Sequence, residues 1–136
     1  MEDIKEFFTQ DRFAKHSGIE LLSVSPGQAV AQMPIQPHHL NAVGSVQGGA
    51  IFTLADFAFA AASNAHGKVA VAINVSITFM KAASSGTLRA VAHEVSVNPR
   101  LGSYTVNITD EQNALIAVFQ GLVYRKDQPL DFSAKG

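Results

Sequence analysis

The segment from Gly48 to Ala65, GGAIFTLADFAFAAASNA, is apolar nearly all round and carries one charge, Asp56. A surface helix would show a polar stripe, so a helix of this composition is expected to be buried on all sides. Its many Ala residues allow a sheet or another helix to approach its axis closely. The segment is too short and too polar at its ends for a membrane span. Gly67 is the expected stop, and His66 stands in the last turn, where a cation suits the helix dipole. Whatever fold this chain takes must wrap its other elements around this one.

The surrounding sequence supplies strands for that purpose. Residues 3–15 place Ile4, Phe7 and Phe8 at helical spacing before Gly18, which predicts a short amphipathic helix docking by its Phe edge. Residues 20–24 and 29–33 flank Ser25-Pro26-Gly27, a turn signature, and read as a hairpin. After Gly67 the period becomes two. Val69, Val71, Ile73, Val75, Ile77 and Phe79 fall on one face of a long strand, and Ala70, Ala72, Asn74, Ser76, Thr78 and Met80 on the other. Further strands follow from Ser85-Gly86 to Val97, around Tyr104 to Ile108, and from Asn113 to near Arg125. Four strands in an antiparallel meander are expected, then a frayed tail over residues 127–136. The result is a single α+β domain over residues 1–136, with helices and strands segregated and a central helix over about 48–65.

Composition narrows the function. A chain of 136 residues suits one domain with one core. Hydrophobic residues make up 47% and charged residues 15%, which predicts surface buried against other subunits. Ten Lys and Arg against eleven Asp and Glu give a net charge of -1. No global field draws in nucleic acid or an anionic membrane, so an anionic ligand has to be held locally. The absence of Cys excludes thiolate catalysis, disulfides and Cys-based zinc sites. The five His residues show no metal-ligand spacing, and the adjacent His38 and His39 read as solvated loop residues. The N-terminus lacks the pattern of a signal peptide, so a cytoplasmic location is expected.

Two features carry chemistry. An ionised carboxylate among Ile51, Phe52, Leu54, Ala55, Phe57 and Phe59 is costly unless it is partnered or borders a water-filled site, so Asp56 is the leading catalytic candidate. The structural alternative is a loop cap or a pair with a buried cation. The second feature is the stretch Asn41 to Gly49, NAVGSVQGG, ending where the helix begins. Free N–H groups at a helix N-terminus stabilise negative charge, and glycines admit a substrate to the backbone, which makes Gly48-Gly49 a candidate oxyanion hole. A tight turn required only for packing is the competing reading. Eight residues at about 1.5 Å each put Gly48 and Asp56 roughly 12 Å apart along the axis. One chain cannot readily bring both to one carbonyl. Two antiparallel helices in a two-fold dimer would juxtapose the Asp56 of one chain and the Gly48 of the other.

With these residues in place, the stretch from Gly18 to Arg125 resembles the hotdog-fold acyl-CoA thioesterases of the phenylacetic-acid-degradation type. In that family an Asn, a Gly and a His-Gly-Gly triplet lead into a central helix bearing an Asp, as Asn41, Gly44, Gln47-Gly48-Gly49 and Asp56 do here. The resemblance implies an antiparallel sheet wrapped around the helix, and hydrolysis of an acyl- or aryl-acyl-CoA in a homodimer or dimer of dimers. It also implies that the Gly48 N–H polarises the thioester carbonyl and that Asp56 of the neighbouring subunit attacks or activates water. Asn41 helps to place them, and Gly49 and Asn74 contact substrate. Coenzyme A enters only as part of the substrate, and no separate cofactor or metal is implied. Two positions depart from the pattern. Gln47 replaces the usual His, and its amide donates a hydrogen bond but cannot titrate. Ala72 stands where members often carry Ser or Thr, with Asn74 or Ser76 as stand-ins on the same face. A non-hydrolytic acyl-CoA or acyl-carrier binding protein is the alternative if Gln47 disables the site. A hydratase ranks last, because no His pairs with Asp56 in or near the helix. Phe52, Phe57 and Phe59 are candidates for an acyl pocket or for packing on the sheet.

Overall fold

A computed structural model describes residues 1–133. Its elements run α1 (Glu2–Phe8), α2 (Arg12–His16), β1 (Glu20–Ser25), β2 (Gln28–Pro34), a 3-10 turn (Pro37–His39), α3 (Gly48–Asn64), β3 (Lys68–Phe79), β4 (Thr87–Val97), β5 (Leu101–Thr109) and β6 (Leu115–Pro129). The six strands form one antiparallel sheet in the order β1-β2-β4-β5-β6-β3. Helix α3 lies across the sheet and packs against all six strands. This is the arrangement implied by the hotdog resemblance.

The predicted N-terminal helix over 3–15 is two helices. The Thr9 hydroxyl donates to the Glu6 carbonyl at 2.6 Å, and the Asp11 carboxylate accepts the Ala14 N–H at 3.0 Å. That carboxylate caps a new helix start, so the chain turns between the two caps. The predicted frayed tail is also shorter. β6 continues to Pro129, opposite Lys68, and Leu130 donates its N–H to the Gly67 carbonyl at 3.0 Å. Strand β3 is long enough to offer these residues a partner. The last part of the predicted tail, 134–136, lies outside the described residues.

Only β4, β5 and β6 form a meander; β3 takes the far edge beside β6. The connection from β3 to β4 crosses back and is pinned where Val46 donates to Ala83 O and Ile35 to Gly86 O, each at 2.8 Å. β3 also departs from simple alternation. Ala72 pairs with Val123, whereas Asn74 pairs with Leu122, so one residue, Ile73, is bulged out. The bulge switches faces: Ala72 lies on the same side as buried Val123, while Asn74, Ser76 and Thr78 lie on the outer side. Val75 and Ile77 then pack against the core.

The core sits between α3 and the inner face of the sheet. Leu54, Ala55, Ala58, Ala61 and Ala62 are fully buried. Phe59 inserts its ring between Tyr104 and Phe119, with centroids 5.7 and 5.3 Å away. A Cβ on Gly121 would lie 2.5 Å from that ring, so the bare backbone of β6 lets the helix sit this close. The helix is not covered on all sides. Gly49 is exposed, and Phe52, Thr53, Asp56 and Ala60 are half-buried. These positions share one helical stripe that this chain alone leaves open.

Candidate active site

The approach to α3 is built so that its first N–H groups stay free. Asn41 accepts the N–H groups of Val43 and Ser45 on its side-chain oxygen at 3.0 and 3.1 Å, and its own N–H donates to Ser45 O at 2.7 Å. Gly44 has φ 85°, a left-handed conformation that this closed loop requires. The Gln47 N–H donates to the His39 carbonyl at 2.7 Å. Gln47 is the N-cap of α3, but its side chain caps nothing and is exposed. Ala50 and Ile51 donate back to Gln47 O. Among the described residues, the N–H groups of Gly48 and Gly49 have no partner. They stand at the positive end of a helix of 17 residues. A Cβ on Gly48 would come within 3.1 Å of the Phe79 ring, so a side chain here would crowd β3.

His39 was expected to be solvated. It is instead 4% exposed, because its ring is used on both sides. Gln36 donates its N–H to Nδ1 at 2.9 Å, so Nε2 carries the proton and donates to the Ser17 carbonyl at 2.7 Å. The ring ties the end of α2 to the loop that feeds α3. His39 is a positioning residue, and sequence gave no sign of it beyond a polar residue beside the motif.

Asp56 lies two turns further along α3, half-buried, with no hydrogen-bonding partner among the described residues. Burial pushes its carboxyl above the usual aspartate value of 3.8, and the negative charge of Asp11 pushes it the same way. Neither the loop cap nor the buried cation offered as a structural reading is present among the described residues. Asp11 escaped the sequence reading because one helix was drawn through it; the Asp-x-x-Ala capping pattern was the available signal.

The structure therefore brings some candidates together and separates others. Asn41 and Gly48 line one cleft of about 460 Å³ with Ile51, Phe79, Met80 and Lys81. Asp56 does not border it. Gln47 and Gly49 flank Gly48 at the helix start. Asn74, expected with Ser76 on the same face as Ala72, is on the outer face with Ser103, Thr105 and Gln120, because the bulge at Ile73 turns it over. It does not meet Asp56 within the chain. Phe59 is a core residue, Phe52 packs edge-on against Phe119 at 5.5 Å, and Phe57 meets Phe8 at 5.8 Å. A helix start with free N–H groups and an unpartnered carboxylate thus share one helix and face different surroundings.

Comparison with known proteins places this arrangement. The family model described as the thioesterase superfamily matches residues 43–117, which include Gly48 and Asp56. A relative from Archaeoglobus fulgidus is 41% identical over 130 residues, covering 94% of this chain and 84% of the relative. The acyl-coenzyme A thioesterase PaaI of Escherichia coli is 36% identical over 119 residues, covering 87% of this chain and 85% of PaaI. The solved structure of E. coli PaaI, from the phenylacetic acid degradation operon, superposes with a TM-score of 0.91 at 32% identity, covering 96% and 95% of the two chains.

Proposed function

The chain belongs to the thioesterase superfamily, with the hotdog fold, and we propose on that footing that it hydrolyses an acyl- or aryl-acyl-CoA thioester at a site shared by two copies. The observation that carries the shared site is the separation on α3. Free N–H groups at Gly48 and an unpartnered carboxylate at Asp56 lie roughly 12 Å apart on one axis. Each is half of what acyl transfer requires.

The free edge of β3 supplies a means of joining them. It is a strand of 12 residues with one unpaired side, and Ile73, Phe79 and Met80 are 54%, 52% and 59% exposed. A second copy paired antiparallel along this edge, about a two-fold axis, extends the sheet and covers those side chains. The half-buried stripe of α3 then faces its symmetry mate, Asp56 against the other chain's Gly48. Two such dimers can associate further.

In this site the Gly48 N–H and the helix dipole stabilise the oxyanion that forms on the thioester carbonyl. The Gln47 amide lies beside it as a neutral hydrogen-bond donor, and Asn41 holds the loop that aims them. The partner's Asp56 acts on the carbonyl carbon in one of two ways. As general base it takes a proton from water while the water oxygen bonds to carbon; the C–S bond breaks and that proton goes to the thiolate. As nucleophile it forms a mixed anhydride, expelling the thiolate, and water then releases the acid. Coenzyme A leaves as product. No metal or redox partner is required.

The test is release of free thiol from a panel of acyl-CoA thioesters. Turnover that Asp56→Asn abolishes supports the proposal; wild-type turnover no faster than that of the variant overturns it. Gln47 favours one second reading, a protein that binds acyl-CoA or an acyl carrier without cleaving it. Tight thioester binding with no thiol release identifies that case.

A further inference from the structure

His39 is a buried, titratable side chain to which the proposed reaction gives no step. Its ring joins two segments that stand 22 residues apart in sequence. Nε2 donates to the carbonyl of Ser17, the C-cap of α2, at 2.7 Å, and Nδ1 accepts the Gln36 N–H at 2.9 Å. The backbone carbonyl of the same residue accepts the N–H of Gln47, the N-cap of α3, at 2.7 Å. Gly48 comes next, with no partner for its N–H among the described residues. We propose that the hydrogen bond from His39 to Ser17 sets the aim of the Gly48 N–H, so that α2 acts on catalysis through His39 as a positioning residue. The inference rests on the thioesterase reading for the reaction that it serves.

Ser17 offers a firm anchor. Carbonyls at the end of a helix have no partner inside it, and His39 Nε2 supplies one here. On either side of Ser17, Ala14 and Ile19 are packed in the core, and the Ile19 N–H donates to Ala14 O at 3.0 Å. The loop that leads into α3 needs such an anchor. The bonds from Val43 and Ser45 to the Asn41 side chain fix the shape of that loop but join nothing outside it. Val46 ties one arm to Ala83 O, and His39 ties the other to α2. Because the ring is buried, water is kept from taking over its bond to Ser17, so a lost bond leaves the arm free to shift. A site group must be held within about 0.5 Å of its productive place. Losing an oxyanion donor outright costs roughly 10²–10³ in kcat, so a misdirected one should cost about tenfold. The donor acts on charge that develops in the transition state, so the loss falls on kcat rather than KM.

Two substitutions separate the bonds of the ring. An Asn side chain carries its oxygen where Nδ1 lies and is too short to reach Ser17; a Gln side chain carries an amide N–H as far as Nε2. His39→Asn should lower kcat for an acyl-CoA thioester by about tenfold with KM within about twofold of wild type, and His39→Gln should restore most of the loss. In parallel, the amide resonances of Gly48 and Gly49 are followed by NMR; they should shift in His39→Asn and return in His39→Gln. Thermal unfolding checks that the variants fold, and His39→Leu, which makes neither bond, is read in place of an unfolded Asn variant. Wild-type turnover with kcat and Gly48 resonances unmoved by His39→Asn overturns the positioning role and leaves the thioesterase reading standing. A Gln variant as impaired as the Asn variant overturns it too, because the bond to Ser17 then carries nothing. Variants that only unfold mark the bond as structural and also overturn it. No wild-type turnover of any thioester, with Gly48 resonances that move in Asn and return in Gln, overturns hydrolysis and supports the positioning of the Gly48 N–H by Ser17.

Discussion

Asp56 is half-buried with no hydrogen-bonding partner among the described residues, so its ionised carboxylate is a liability to the fold. Its carboxyl is held above 3.8, first by burial and then by Asp11. A group whose folded pKa is raised binds its proton more tightly folded than unfolded, so stability falls as pH rises through the unfolded and then the folded value. Ionising this carboxyl therefore costs the folded chain more than the unfolded one. Asp56→Asn is therefore expected to raise the midpoint of chemical denaturation at pH 7 while removing at least about 10²-fold of kcat, a trade of stability against activity. A loss of both stability and activity would mark Asp56 as a structural residue instead. Asp11 makes a separable prediction. With its charge removed, Asp11→Asn should shift the acidic limb of the kcat/KM profile to lower pH, because the carboxylate that must be ionised then ionises more easily. Asn retains the side-chain oxygen that caps α2, so thermal stability should change by less than about 1 kcal/mol. An acidic limb that stays in place would remove Asp11 from the electrostatics of the site. Gln47 shows what one residue of sequence settles: its amide excludes proton transfer at that position, a statement that needs no structure.

At the scale of elements, α3 was legible because nothing else reads like it: an apolar run bounded by a Gly pair and Gly67. Its N-terminal bound and its function as the centre of the fold both followed. Complete burial did not, because periodicity cannot reveal which stripe of an apolar helix the rest of the chain leaves uncovered. β3 shows a different limit. The period of two was right for a strand but cannot register an inserted residue, and the bulge at Ile73 moved Asn74 away from the helix. Where β3 docks depends on non-local pairing, which local alternation does not encode. The contact between α3 and β6 carries a testable cost. In Gly121→Ala the added methyl would meet the Phe59 ring at 2.5 Å, and overpacking of this kind costs about 1–3 kcal/mol. Urea denaturation should show that loss, and Phe59→Leu in the same chain should recover part of it. The far end of α3 is tied down by Glu94, which accepts hydrogen bonds from His66 and from the Tyr104 hydroxyl, each at 2.7 Å. Burial pushes the Glu94 carboxyl up. The Tyr104 and His66 hydrogen bonds and the charges of His66 and Arg125 outweigh it and hold the carboxyl below its usual value of 4.5. A lowered folded pKa contributes stability above the unfolded value that is lost as pH falls through the folded one. Glu94→Gln should thus cost about 1 kcal/mol at pH 7, with the difference from wild type shrinking through the acidic range below 4.5.

For the whole molecule, the proposed division of the site between the start and the middle of one helix becomes a statement about assembly. Within a chain, the cleft that Asn41 and Gly48 line is not bordered by Asp56. If catalysis joins the Gly48 of one copy to the Asp56 of another, two defective chains should complement each other. Gly48→Pro removes the N–H at a position where Pro is tolerated, the first residue of a helix, although its ring must push against Phe79. Asp56→Asn removes the carboxylate. Each homodimer then lacks one half at both sites. A heterodimer has one site with both lesions and one with neither. Random reassortment of an equal mixture makes half the dimers mixed, each with one intact site of two, so activity should return to about one quarter of wild type. Thiol release from the two variants, separate and after co-refolding, provides the measurement. Recovery near a quarter requires that the sites be shared. If both variants fold and dimerise and the mixture stays inactive, the catalytic groups act within one chain, and the 12 Å on α3 would have to be closed by a movement of the Asn41–Gly48 loop rather than by a second copy.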